Sequence, residues 1–87
     1  MDYQLFTKLG LTEAEAIIYH NVLKLGTCTV KQIAKESGFH RTNIYDVLEQ
    51  LKEKGLVAFF KEGKVMRYRA SDPNNLYELL QEKKELL

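Results

Sequence analysis

The sequence has little of what marks disulfide-rich, disordered or membrane proteins. Cys28 is the only cysteine, so no internal disulfide can form, and we expect it to behave as a small apolar residue. There is one proline and no tryptophan, and nothing in the composition indicates a disordered tail. The apolar runs are too short to cross a membrane, and residues 1–10 lack the pattern of a signal peptide. We predict one cytoplasmic domain, residues 1–87, that does not contact a membrane.

The sequence also lacks the patterns of a catalytic or metal site. His20 and His40 lie on different predicted helices, without the spacing of metal ligands around them. We find no nucleophile with a base, no paired carboxylates and no glycine-rich phosphate loop. We therefore predict that the protein is not an enzyme and has no cofactor. The sequence does not indicate whether a small-molecule effector or oxidation of Cys28 regulates it.

The net charge is only +1, which by itself weakly disfavours a nucleic-acid partner. The positive charge is, however, concentrated in two segments: residues 29–45 sum to +2 and residues 61–69 sum to +3. A phosphate-binding surface depends on such local concentration more than on the overall charge. The distribution therefore favours a nucleic-acid partner despite the near-neutral total.

Residues 29–55 predict a helix-turn-helix. Thr29 is a good N-cap, with glutamine at the capping-box position three residues later, and Gly38 ends the first helix. The second helix, at 40–54, carries apolar residues at i, i+3, i+4 and i+7 from Ile44, so one stripe faces the core. In DNA-binding proteins of this type the second helix presents its N-terminal residues to the major groove.

The flanking segments complete the layout. Thr12 and Glu15 form a second capping box, which predicts an apolar scaffold helix to about Leu25, and residues 27–29 can form a minimal strand. Residues 56–70 predict a β-hairpin wing with its turn at Glu62-Gly63.

Alternation along the hairpin places side chains on its two faces. Met66, Tyr68 and Ala70 share one face, and the arginines lie on the other. Val57 and Phe59 are expected to face the core. Phe60 then either marks a contact surface or packs under the last helix.

Asp72-Pro73 predicts the start of a C-terminal helix at 73–87. Its apolar stripe needs a partner, either its own domain or a second chain. A symmetric dimer would fit the two-fold symmetry that is common among DNA-binding proteins. The candidate dimerisation residues are Leu76, Leu79, Leu80, Leu86 and Leu87.

The order of these elements gives a mainly α fold with a small β-hairpin wing, a winged helix-turn-helix with an added C-terminal helix. The runs LGLTEAEA, RTNIYDVL, LKEKGLV and RYRA resemble the DNA-binding domain of the TrmB-like transcriptional regulators, found mostly in archaea. Fuller members carry a C-terminal sugar-binding domain, and this chain ends before one could begin, so the resemblance does not imply sugar sensing. Where the family often has proline, this chain has His40, a titratable group near the expected DNA surface.

We predict a homodimeric, sequence-specific regulator of double-stranded DNA, with helix 40–54 in the major groove and wing 56–70 on the backbone or in the minor groove. The alternative is a winged-helix module for protein contacts in transcription or chromosome machinery. The near-neutral charge, an exposed Phe60 and the acidic back half of helix 40–54 favour it. For Tyr45, donation to a phosphate and packing at the helix edge both remain open. The candidate DNA-binding residues are Thr29, Lys31, Lys35, His40, Arg41, Thr42, Asn43, Tyr45, Lys61, Lys64, Arg67 and Arg69.

Overall fold

The structure, a computed structural model, describes residues 4–71, which form four helices followed by two strands. The predicted helix at 73–87, with the leucines proposed for dimerisation, lies outside the described residues. The elements are α1 (Gln4–Lys8), α2 (Glu13–Leu25), α3 (Val30–Ser37), α4 (Arg41–Glu53), β1 (Val57–Glu62) and β2 (Val65–Ala70).

Helix α2 is the scaffold on which the other elements pack. The Thr12 hydroxyl accepts the Glu15 N–H at 3.1 Å, and the Glu15 carboxylate accepts the Thr12 N–H at 2.8 Å, which completes the predicted capping box. Gly26, with a positive φ of 75°, follows the last residue of the helix. Helix α2 contacts α1, α3, α4 and β2, so its position determines where the helix-turn-helix lies.

The core lies where α1 to α4 meet the start of β1. Helix α4 buries its predicted apolar stripe, and α3 contributes Val30 and Ile33. This burial is the main force that holds α4 against the scaffold, since apolar contact area removed from water is the dominant stabilising term. The fully or nearly fully buried aliphatic residues include Leu11, Ile18, Val22, Ile33, Ile44, Leu48, Leu51, Leu56 and Val57.

The two strands form an antiparallel hairpin whose register pairs Val57 with Ala70 and Glu62 with Val65. Cys28 joins the hairpin to the start of the helix-turn-helix. Its N–H donates to the Tyr68 carbonyl at 2.9 Å, and its own carbonyl accepts the Tyr68 N–H at 2.7 Å. Cys28 is fully buried with a free thiol. The minimal strand predicted at residues 27–29 is therefore a single bridge residue.

The structure confirms the winged helix-turn-helix fold class and differs from the sequence prediction in two details of the wing. The turn is formed by Gly63 and Lys64, since Glu62 still belongs to β1, and Gly63 has a positive φ of 63°. Phe59, expected in the core, is 40% exposed. Within β1 only Val57 is buried, and each residue from Phe59 to Glu62 is exposed.

Candidate nucleic-acid interface

Helix α4 begins with an open N-terminus because of how α3 ends. Gly38 closes α3 in the left-handed conformation, with φ 77° and ψ 3°, and His40 then takes an extended N-cap conformation. The exposed His40 side chain makes no capping hydrogen bond within residues 4–71. The N–H groups of the first turn of α4 therefore receive no side-chain acceptor from their own N-cap.

The polar side chains in the first turn of α4 are exposed. Ile44 and Leu48 are buried, and Arg41, Thr42 and Asn43 are all exposed. A guanidinium can pair with guanine and a carboxamide with adenine through two hydrogen bonds each. The start of α4 therefore presents groups that can read base edges.

A cationic cleft of about 260 Å³ forms where three elements meet: the start of α3, the first turns of α4 and the tip of the wing. We use the name cationic cleft for the surface lined by Thr29, Val30, Lys31, Arg41, Tyr45, Lys64, Val65 and Met66. It brings together five of the predicted contact residues, from segments far apart in sequence. No carboxylate of residues 4–71 lines it, so its three cations create a concentrated positive field.

Thr29 shapes this cleft by capping α3. Its hydroxyl accepts the Gln32 N–H at 3.3 Å, and the Gln32 side chain accepts the Thr29 N–H at 2.9 Å. This capping box occupies two of the N–H groups at the helix start, and those of Val30 and Lys31 remain for an anion. The Thr29 hydroxyl is thus used within the capping box, where it positions the helix terminus.

The cations of the described chain fall into two sets. Four are paired with carboxylates: Lys24 with Glu36, Lys52 with Glu49, Lys54 with Glu15 and Arg67 with Glu62. The other seven form no ion pair with a carboxylate of residues 4–71: Lys8 of α1, and the predicted contact residues Lys31, Lys35, Arg41, Lys61, Lys64 and Arg69. An unpaired exposed cation gives up no internal partner when it binds a phosphate.

The register of the hairpin separates the wing cations. Lys61 pairs with Met66 and shares the face turned toward α4, whereas Arg67 and Arg69 lie on the opposite face. Lys64 is in the turn itself. The Arg67 Nε atom is buried and lies 3.3 Å from a Glu62 oxygen without hydrogen-bond alignment. One duplex surface cannot therefore contact all four wing cations equally, and Lys64 is the one that lines the cationic cleft.

A second depression, the apolar groove, separates α4 from the inner face of the wing and encloses about 220 Å³. The Lys52 ammonium lies 4.3 Å from the centre of the Phe59 ring, and the Phe59 and Tyr68 rings are 6.2 Å apart. Burial raises the pKa of Tyr68, and neighbouring Tyr45 and Glu49 raise it further. The residues that line the apolar groove are Tyr45, Leu48, Glu49, Lys52, Val57, Phe59, Met66 and Tyr68.

The sequence reasoning missed the Glu15–Lys54 ion pair. The Lys54 ammonium lies 2.7 and 2.9 Å from the two oxygens of Glu15, whose side chain is only 2% exposed. Burial alone would raise the pKa of the Glu15 carboxyl, but Lys54 and the hydrogen bonds to Thr12 together lower it. The two residues are 39 positions apart. No local pattern could have indicated the pair, and Glu15 was assigned only to its capping box.

Residues 4–71 were compared with the arrangements that bind a metal ion or cross a membrane. Within residues 4–71, no group of three or more His, Cys, Asp or Glu side chains is placed to hold a metal ion. No helix in the same part of the chain is long and apolar enough to cross a membrane.

Comparison with known proteins gives the family. The model of the family described as sugar-specific transcriptional regulator TrmB matches residues 5–74. The chain belongs to the TrmB family. A similar curated relative is the HTH-type sugar sensing transcriptional regulator TrmBL1 of Pyrococcus furiosus, 38% identical over 79 residues. That match covers 91% of this chain but only 23% of the relative, so the chain corresponds to a small part of TrmBL1.

Solved structures place this TrmB-family chain among winged-helix proteins. TrmBL2, described as an archaeal chromatin protein with a novel mode of DNA binding, has a TM-score of 0.78 and 29% identity; the match covers 95% of this chain and 32% of that one. The homodimeric winged helix-turn-helix DNA-binding domain Mb0332 of Mycobacterium bovis has a TM-score of 0.68 and 24% identity, covering 92% and 73% of the two chains. The Mb0332 likeness shows the fold alone.

Proposed function

We propose that this TrmB-family chain is a sequence-specific, double-stranded DNA-binding transcriptional regulator. The recognition helix α4 enters the major groove, and the wing contacts the backbone or the minor groove. The observation that carries the proposal is the cationic cleft beside the exposed first turn of α4. Lys31, Arg41 and Lys64 converge there, and none of them forms an ion pair within residues 4–71.

The cleft and the helix start have different roles in this proposal. Lys31, Lys64 and the N–H groups at the start of α3 bind phosphates, which orients the domain on the duplex without reading sequence. Arg41, Thr42 and Asn43 read base edges, and each good bidentate pair discriminates between bases by roughly 1–3 kcal/mol. Lys35, His40, Lys61 and Arg69 extend the contact surface.

A homodimer is the second part of the proposal, with the leucines of segment 73–87 as its interface. A two-fold axis would place two copies of α4 in successive major grooves and double the number of base contacts. Removal of all residues after Ala70 is expected to give a monomer in light scattering. A dimer of the shortened chain would place the interface elsewhere.

The test of function is selection of bound sequences from a random duplex pool, followed by binding at low and moderate salt. We expect an enriched inverted repeat with half-sites about 10 bp apart. Affinity should fall steeply as salt rises, because bound phosphates release counterions. The absence of both enrichment and salt-sensitive binding would contradict the proposal and favour a protein partner.

A further inference from the structure

The Glu15 carboxylate and the Lys54 ammonium join the start of the scaffold helix to the end of the recognition helix. The same carboxylate accepts the N–H of Thr12, so it is fixed to the first turn of α2. Lys54 is the C-cap residue of α4. A negative charge thus lies at the N-terminus of one helix and a positive charge at the C-terminus of the other, the favourable sign at both ends.

This pair differs from the other ion pair that joins two helices of residues 4–71. Lys24 and Glu36 connect α2 to α3 at 3.3 Å, but their side chains are 62% and 39% exposed. Water screens such a pair, and it constrains the helices little. The Glu15 carboxylate is almost fully enclosed and contacts the ammonium through both oxygens, so a small displacement of Lys54 loses much of the interaction.

Apolar packing determines the crossing angle of α4 on the core only to within about 15–20°, the usual scatter of helix packing angles. Ile44, Leu48 and Leu51 hold the helix against the core, but burial of apolar surface is not directional. The 13 residues of α4 span about 20 Å, with Arg41 at one end and Lys54 just beyond the other. A tilt of about 3° at the Lys54 end therefore moves Arg41 by ~1 Å, more than the ~0.5 Å within which a binding constellation must be held.

We propose that Glu15 and Lys54 are positioning residues for DNA recognition, whose ion pair sets the orientation in which α4 presents Arg41, Thr42 and Asn43 to the bases. This inference rests on the proposed function and adds two residues that do not contact DNA. Loss of the pair reduces base selectivity, while the cations of the cationic cleft continue to bind phosphates.

The first variant is Glu15→Gln, which keeps an acceptor for the Thr12 N–H and removes the charge. Lys54, whose side chain is 34% exposed, can then turn toward water. The matched control is Lys24→Met, which breaks an ion pair between helices that does not involve α4. The probes are the duplex enriched by the wild-type chain and a scrambled duplex of the same composition.

We expect Glu15→Gln to lower the preference for the enriched duplex over the scrambled one by about 10-fold, comparable to one lost base contact. The slope of log affinity against log salt should stay the same, because no phosphate contact is removed. Lys24→Met should change the preference by less than about 2-fold, within the small effect of an exposed pair.

A second measurement does not depend on DNA. Residual dipolar couplings in the free chain give the angle between α2 and α4, which we expect to change by several degrees in Glu15→Gln and to stay the same in Lys24→Met. If Glu15→Gln fails to fold, the double variant with Lys54→Met removes both charges, so neither charge of the pair is left without its partner. The same loss of preference and change of angle are expected for it.

An unchanged angle in a folded variant that lacks the pair overturns the inference, whether or not DNA preference falls. A changed angle with a wild-type preference for the enriched duplex overturns it as well. If the wild-type chain binds no duplex, the proposed function fails. The angle then still decides whether the pair orients α4.

Discussion

Both ends of α4 carry basic side chains, but those at the C-terminal end are paired with carboxylates and Arg41 at the N-terminal end is not. At the N-terminal end Arg41 is exposed and forms no ion pair with a carboxylate of residues 4–71. At the other end Lys52 lies 3.8 Å from Glu49 and over the Phe59 ring, and Lys54 contacts Glu15 through both carboxylate oxygens. The same kind of side chain thus holds the helix at one end and is left available for a partner at the other.

The largest effect on stability is expected from removing Lys54, the cation at the C-terminal end of α4. Lys54→Met leaves the buried Glu15 carboxylate without its counter-charge, and we expect the free energy of unfolding at neutral pH to fall by about 3 kcal/mol. Urea denaturation followed by circular dichroism measures this change.

The control for this variant is Lys24→Met, where the broken pair is exposed and the expected loss is below about 0.5 kcal/mol. Equal losses in the two variants would mean that the Glu15–Lys54 pair holds α4 no more strongly than a surface pair does.

At the N-terminal end of α4, Arg41→Ala should weaken binding to the enriched duplex by about 30-fold. The stability of the fold should not fall, because the Arg41 side chain is exposed and forms no ion pair within residues 4–71. Fluorescence anisotropy with a labelled duplex measures the affinity. Lys8→Ala, which removes an exposed cation from α1, is the control for the loss of charge alone. Identical affinities of Arg41→Ala and the wild type would remove Arg41 from the interface.

Acid should selectively weaken the ion pair between Glu15 and Lys54 at the C-terminal end of α4. The pKa of Glu15 lies below its ordinary value of 4.5 in the folded chain. Its contribution to stability is therefore complete above that ordinary value, and it is lost as pH falls through the lower folded-state pKa. We expect the wild type to lose more stability than Glu15→Gln between about pH 6 and about pH 3 in urea titrations. Parallel losses in the two proteins would show that Glu15 titrates as it does in the unfolded chain.

The smallest effect is expected at the tip of the wing. Lys64→Ala removes one cation from the cationic cleft, so the slope of log affinity against log salt should decrease in magnitude by about 1. The enriched sequence itself should not change, since a phosphate contact carries no base information. Binding over a range of salt concentrations measures the slope, with Lys24→Ala as the control. A changed sequence preference would instead place Lys64 at a base edge.

Local patterns in the sequence were sufficient to predict most of the fold. The capping boxes at Thr12 and Thr29 and the glycine after α3 act within a few residues, and the structure forms each of them. The apolar stripe from Ile44 predicted which face of α4 is buried, because helical period alone fixes it. The same period predicted that Thr42 lies opposite the buried face, and Thr42 is exposed.

Features that depend on how distant segments of the chain pack together could not be predicted from local patterns. Alternation assigns Phe59 to the correct face of the hairpin but does not show that the strand has left the core at that point. The Glu15–Lys54 pair and the meeting of Lys31 with Lys64 join segments more than thirty residues apart. The sequence indicated which residues were candidates for contact, and the fold shows which of them share one cleft.

The bridge between Cys28 and Tyr68 has a consequence for how the domain folds. It closes a loop of 40 residues that contains α3, α4 and the turn of the wing. Closing such a loop costs on the order of 3 kcal/mol of chain entropy, so the bridge forms only once the enclosed helices have packed. The amide protons of Cys28 and Tyr68 should therefore exchange with solvent at the rate of global unfolding. Those of Gly63 and Lys64 at the wing tip should exchange through local opening.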